Sequence, residues 1–301
     1  MKIGIDLGGS HVAIGVVDND GIIIEKKERR ILAKEKKDIC SFIEDYIVEN
    51  VKEIMQKHKI TSIGIAIPGT INKTTIIKSV NLGLENYNIV DNLKEKLDLP
   101  ITIKNDAKCA ALAENKYGSL KNYTRSVFLT LGTGIGGAVI INNELLNTGD
   151  LPGMEVGHMV IKKDGLQCNC GNKGCFEKYA SMKALKNNLR NELGLDETTR
   201  GQELLDMIRN NNSSNKNYLK IEKTVNEFIE NLAIGISNLV NLFEPEAIVI
   251  GGSFVYFEDV LLEKLENLLI YKPFIFNKRN KIIIKPAILG NDAGIIGATL
   301  L

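Results

Sequence analysis

The chain has 301 residues, 44% of them apolar and 25% charged, and a net charge of +1. That length accommodates two domains with separate cores, and the composition is that of an ordinary globular protein. The near-neutral charge argues against nucleic-acid binding, and no apolar run approaches a membrane span.

Residues 1–10 read as strand and turn, without the apolar stretch and cleavage site of a signal peptide. Five cysteines, an odd total, fit a reducing cytoplasmic setting better than a disulfide framework.

In chain order, residues 2–6 form a β-branched strand, interrupted by Asp6-Leu7-Gly8-Gly9-Ser10-His11 and resumed in the apolar run 12–17. Asp18-Asn19-Asp20-Gly21 is a turn, and 22–26 a third strand. Gly8 and Gly9 remove Cβ atoms where a phosphate could lie against backbone N–H groups, although a lone Gly-Gly turn commonly only reverses the chain. Residues 37–57 place Ile39, Phe42, Ile43, Tyr46, Ile47, Val51 and Ile54 on one helical face. Residues 60–67 are a buried strand closed by Pro68-Gly69, 89–97 a short helix, 100–104 a strand ending at Asn105-Asp106, and 107–117 a helix. This alternation predicts an α/β fold with a largely parallel sheet, in which ligands bind beyond the carboxyl ends of strands. Asn105 and Asp106 occupy such an end, although the pair taken alone reads as the cap of the following helix.

A second strand, glycine turn and strand follow at 127–131, 132–137 and 138–141. Leu131-Gly132 falls on Leu7-Gly8, and Asn142-Asn143 on Asp18-Asn19, so two such hairpins each open a domain. Two opposed glycine turns could clamp a polyphosphate. Residues 182–193 and 221–243 are helices, and the strand 247–250 runs into a third glycine turn, Gly251-Gly252-Ser253. A helix over 260–269 and a strand over 281–286 lead to Asn291-Asp292, which caps a last helix over 293–301.

Residues 153–181 stand apart. Cys168, Cys170 and Cys175 lie within eight positions and share the stretch with His158, one of three histidines. Thiolates and an imidazole at this spacing suit tetrahedral Zn²⁺, with Gly171 and Gly174 allowing the tight path. The alternative is a reduced cysteine cluster in a loop. Glu155 and Glu177 flank the group.

The motifs DLGGSH, IAIPGTIN, NDAKCAALAE, LTLGTGIGG, GMEVGHM, CNCGNKGCFEKYAS, PEAIVIGGS and GNDAGIIGA run the length of the chain. In order and spacing they resemble the ROK sugar kinases, a branch of the actin/hexokinase-like ATPase superfamily, and look closest to bacterial ROK glucokinases. The resemblance implies two ribonuclease H-like (actin-like ATPase) α/β domains with an interdomain cleft, one of residues 1–118 plus 291–301 and one of 119–290 carrying the zinc loop. It implies phosphorylation of a hexose 6-hydroxyl by ATP with Mg²⁺, and a homo-oligomer, dimer or tetramer. Asp106 would be the catalytic base. Gly69, Asn81, Asn105, Asp106, Glu155, His158 and Glu177 would bind the sugar. Asp6, Gly8, Gly9, Ser10, Gly132, Thr133, Gly134, Gly251 and Gly252 would hold the nucleotide, with Asp6 on Mg²⁺ through water. His158 would serve both a structural Zn²⁺, shared with Cys168, Cys170 and Cys175, and the sugar. The sequence departs from the family pattern at Ser10 (commonly Thr), His11 (Lys or Asn), Lys108 (Asn) and Leu84 (often Trp). Alternatives within the family are N-acetylmannosamine, N-acetylglucosamine, fructose or allose kinases. A sugar-responsive ROK repressor is a further one, for which the early position of Asp6 leaves no room for a helix-turn-helix ahead of it. A metal-stabilised scaffold without activity would require a lost base or phosphate turn.

Overall fold

Two hairpins with glycine at the tip organise the protein. In the first, β1 (Lys2–Leu7) pairs antiparallel with β2 (His11–Val17), and β3 (Ile23–Arg30) adds outside it. In the second, β9 (Arg125–Leu131) pairs antiparallel with β10 (Ile135–Ile141). The computed structural model describes residues 1–146, 153–270 and 282–301. They divide into two units. The first comprises Met1–Asn122, Glu144–Met154 and Leu289–Leu301, and the second Tyr123–Asn143 and Glu155–Ile288.

In the first unit β1 also pairs in parallel with β4 (Ile63–Ile67), and β4 with β8 (Ile101–Asn105), giving the order β3-β2-β1-β4-β8. Helix α1 (Ile39–Lys57) buries Ile39, Ile43, Ile47, Val51 and Ile54, one residue per turn, in the core formed with the sheet. It starts two residues later than the periodicity predicts because Asp38 caps it, accepting from Ser41 N. Three short strands, β5 (Thr70–Asn72), β6 (Thr75–Ser79) and β7 (Leu84–Tyr87), form a small separate sheet, followed by α2 (Ile89–Lys94). Helix α3 (Asp106–Lys116) then leaves the end of β8 without a connecting residue. The segment opening with β11 (Glu144–Leu145) and the carboxyl-terminal helix α9 (Ala293–Ala298) complete this unit. Asp292 does not cap α9 with its side chain: its Oδ1 accepts from Lys26 Nζ at 2.8 Å, and α9 stops three residues short of the chain end.

In the second unit β9 pairs in parallel with β12 (Ala247–Gly252), and β12 with β13 (Ile283–Pro286). Strand for strand, β10-β9-β12-β13 repeats β2-β1-β4-β8. Lys281, the expected start of the last strand, lies outside the described residues. The helices of this unit are α4 (Glu177–Ala180), α5 (Met182–Leu193), α6 (Gly201–Arg209), α7 (Tyr218–Phe243) and α8 (Glu258–Ile270). The long α7 buries Val225, Phe228, Ile229, Leu232, Ile236 and Leu239. Among the described residues, no helix is long and apolar enough to cross a membrane.

Candidate functional site

The chemistry-bearing residues of the first unit gather at the carboxyl ends of its parallel strands. Asn105 ends β8, and its Oδ1 accepts from Ala107 N and Lys108 N, so Asn105 is the cap of α3. Its Nδ2 reaches Gly69 O at 3.2 Å, tying α3 to the turn after β4, where Gly69 has φ +113°. Asp106 shares the same helix start with its neighbour. It is the first helical residue, half-buried, with Oδ1 accepting from Ala107 N at 2.9 Å.

Asp6, at the end of β1, stands close enough to feel Asp106. Burial, and next the Asp106 charge, push its carboxyl up from 3.8 to about 7, with Lys26 opposing. Helix α9 makes that burial: a Cβ on Gly294 would stand 2.8 Å from the Asp6 carboxyl. Two residues on, Gly8 N donates to His11 O at 2.9 Å, closing the hairpin tip, with Gly9 packed against Asn81 from the turn between β6 and β7. Ser10 is exposed at the tip. Asp6, Gly8, Gly9, Ser10, Gly69, Asn81, Asn105 and Asp106 thus all belong to the first unit.

The second unit carries the cluster. His158 Nδ1 and the sulfurs of Cys168, Cys170 and Cys175 lie within 4.8 Å of one another. Cys170 and Cys175 sulfurs are 3.5 Å apart, and Cys168 Sγ is 3.6 Å from His158 Nδ1. A disulfide would need about 2.05 Å. A tetrahedron with Zn–S bonds of about 2.3 Å puts its sulfurs about 3.8 Å apart, so the donor set and its spacing fit a metal ion. Burial raises the Cys168 thiol and, with the neighbouring sulfurs, pushes Cys175 up to about 12, whereas the Asn172 backbone N–H lowers Cys170. A cation at the centre would supply the charge that lets all three become thiolates. Gln167 Nε2 donates to the carbonyls of Cys168, Gly171 and Asn172, and Tyr179 accepts from Leu166 N, holding the loop in shape.

Phe176 anchors the exit of this loop. It is fully buried against α7, where a Cβ on Gly235 would fall 2.3 Å from its ring. That fixes Glu177 next to it. Glu177 Oε1 is 3.3 Å from Cys168 Sγ and 3.9 Å from His158 Nδ1. Its Oε2 lies against the second glycine turn, 2.5 Å from where a Cβ on Gly134 would be. That turn is shorter than the sequence suggests: Gly132 N donates to Gly134 O and β10 begins at Ile135, leaving Gly136 and Gly137 inside the strand. Lys183 N, in the first turn of α5, donates to Gly132 O. Glu155 precedes a 3-10 turn, Val156–His158, and its side chain is exposed, as is Thr133. Gly251 and Gly252 close β12, and Gly252, at φ +70°, packs on Leu131 and Thr130.

One buried carboxylate has no part in the sequence reading. Glu114, in the quoted NDAKCAALAE motif, is wholly buried on α3 and accepts from Ser119 N (2.7 Å) and Leu289 N (2.9 Å). A glutamate amid the alanines of an otherwise small, apolar helix face was the available signal.

The ROK family model matches residues 2–301. The chain belongs to the ROK family. Among ROK relatives, the glucokinase of Thermotoga maritima is 30% identical over 98% of this chain and 95% of its own length. The xylose repressor of Caldicellulosiruptor bescii is 31% identical over 91% of this chain and 71% of its own. Among solved structures, a ROK glucokinase from Streptomyces griseus in complex with glucose and AMPPNP superimposes with a TM-score of 0.78, at 27% identity, covering 99% of this chain and 97% of that one. The fold is the actin-like ATPase fold of the ROK sugar kinases.

Proposed function

We propose that this ROK protein is an ATP-dependent hexose kinase acting on the sugar 6-hydroxyl, with glucose the first candidate substrate. The observation that carries this reading is the placement of Asp106 and Asp6 at strand ends of the first unit, near enough that the Asp106 charge acts on the Asp6 carboxyl. A protein that only senses sugar needs no carboxylate poised to take a proton, whereas transfer to an alcohol does. The glucokinase relative and the glucose- and AMPPNP-bound neighbour support the same assignment.

In this reading Asp106 accepts the proton of the 6-hydroxyl as the oxygen attacks the γ-phosphorus of ATP. Backbone N–H groups at Gly8, Gly9 and Ser10 and at Gly132, Thr133 and Gly134 cradle the phosphates, and Gly251 and Gly252 lie against the adenosine. Asp6 would hold Mg²⁺ through water, and the ion would supply charge neutralisation at the transferring phosphoryl group. Asn81, Gly69, Asn105, Glu155, His158 and Glu177 bind sugar hydroxyls. His158, Cys168, Cys170 and Cys175 would hold a structural Zn²⁺, whose charge would fix the His158 ring and, beside it, Glu177, without a part in transfer.

A coupled assay of ADP release over glucose, mannose, fructose, allose, N-acetylglucosamine and N-acetylmannosamine tests the assignment. Turnover with glucose as the preferred sugar is expected. Preference for an acetylated sugar would move the specificity. No turnover with any of them, together with salt-sensitive, sequence-specific DNA binding, would place the protein with the repressor relatives instead.

A further inference from the structure

Lys108 is one of the positions where this chain carries an unusual residue, and the structure gives the side chain a task. It sits in the first turn of α3, two residues after Asp106, with its backbone N–H donating to the Asn105 cap. Its ammonium reaches Gly153 O, at 3.1 Å. Asn, common in the family pattern at this position, is too short to make the same reach.

The accepting carbonyl belongs to the peptide unit that joins Gly153 to Met154. Met154 has φ +61°, left-handed backbone that a residue with a Cβ adopts only when its surroundings hold it there. The next residue is Glu155. From Glu155 onward the chain is already fixed: His158 N donates to Glu155 O at 3.0 Å, and the 3-10 turn seats on β10 so closely that a Cβ on Gly157 would fall 2.1 Å from Ile135 O. The peptide plane before Met154 is the remaining joint. A hydrogen bond from a cation to its carbonyl sets the orientation of that plane and with it the approach of the chain to Glu155.

We propose that Lys108 is a positioning residue for sugar binding: its ammonium holds the Gly153 carbonyl, maintains the left-handed turn at Met154, and so aims Glu155. This rests on the assignment of Glu155 to the sugar made above. Lys108 thereby links the helix that begins with Asp106 to the peptide that leads into Glu155. The contact acts on binding, so its loss raises the sugar KM and leaves the chemical step comparatively untouched.

The test uses the whole protein. Lys108→Met keeps the aliphatic stem and removes the donor, and Lys108→Arg keeps a donor of similar reach. Lys108→Met is expected to raise the sugar KM about tenfold, with kcat and the ATP KM changed less than threefold, and Lys108→Arg to recover most of the loss. An unchanged sugar KM in Lys108→Met, a fall in kcat alone, or failure of Lys108→Arg to recover any of the loss overturns the proposal. If Lys108→Met does not fold, Lys108→Gln is read by the same criteria. A second readout is independent of turnover. The Met154 amide shares the tethered peptide plane, so in protein labelled with ¹⁵N-methionine its resonance, assigned with Met154→Leu, should shift in Lys108→Met while the other methionine amides stay in place. A wild-type protein that phosphorylates no sugar would remove the kinase assignment and leave this resonance to decide the tether. A Met154 amide that does not move would remove the tether.

Discussion

The two glycine turns occupy the same place in two copies of one topology, yet their surroundings differ. Just ahead of residues 8–10 of the first unit stands Asp6, held up to about 7 by burial and by the charge of Asp106. Around residues 132–134 of the second stand Glu177 and, through it, three thiols and an imidazole. A duplicated hairpin provides backbone N–H groups twice. What each copy contributes further depends on what the local chain packs against it: a buried carboxylate in one, a loop anchored by Phe176 and carrying the cysteine–histidine cluster in the other.

The largest effect should come from the first unit. Asp106→Asn removes the proposed base without changing the shape of the side chain, and turnover should fall about 1,000-fold. Sugar binding by calorimetry and one zinc per chain should persist. Activity near wild type would take the chemistry away from Asp106 and erase the contrast between the two turns.

Asp6 sharpens the comparison through pH. A carboxyl near 7 when folded and 3.8 when unfolded means that the folded chain binds the extra proton between those values. Stability should then fall as pH rises from about 4 to 7 and level off above. Asp6→Asn escapes that penalty. Its thermal midpoint should exceed the wild type at pH 8 and converge with it near pH 4, while Mg²⁺-dependent turnover is lost. A lower midpoint at pH 8 would mean that the ionised carboxylate is stabilising where it stands.

On the other side, Gly134→Ala pushes a methyl group toward Glu177 Oε2, displacing the carboxylate or the turn. A sugar KM raised about tenfold with zinc retained is the expected outcome. An unchanged KM would show that Glu177 yields without cost to sugar binding.

Much of this was legible in the sequence because the signals were local. The hairpins repeat their turn residues, Leu-Gly at the tip and Asn or Asp at the next turn, and β1, β4, β9 and β12 are apolar runs bounded by glycine or proline. The cysteine spacing, with His158 in the same stretch, pointed to a metal-ligand set, and the structure gathers its four donor atoms. What escaped notice depends on distant partners. Strands β5, β6 and β7 are three to five residues long and mixed in polarity, so no period develops in them. Asp292 has the composition of a cap, but Lys26, far away in sequence, takes its carboxylate. The Glu177–Gly134 approach and the Lys108–Gly153 bond join segments whose spacing in the chain carries no period to read.

The division of labour between the two turns is tested most directly by stripping zinc from folded protein with a chelator and measuring sugar saturation curves before, after, and on adding zinc back. The account predicts a sugar KM raised at least tenfold, kcat at saturating sugar within about twofold of the loaded protein, and recovery with zinc. A lost kcat with an unchanged KM would contradict it, because the metal would then belong to the chemistry.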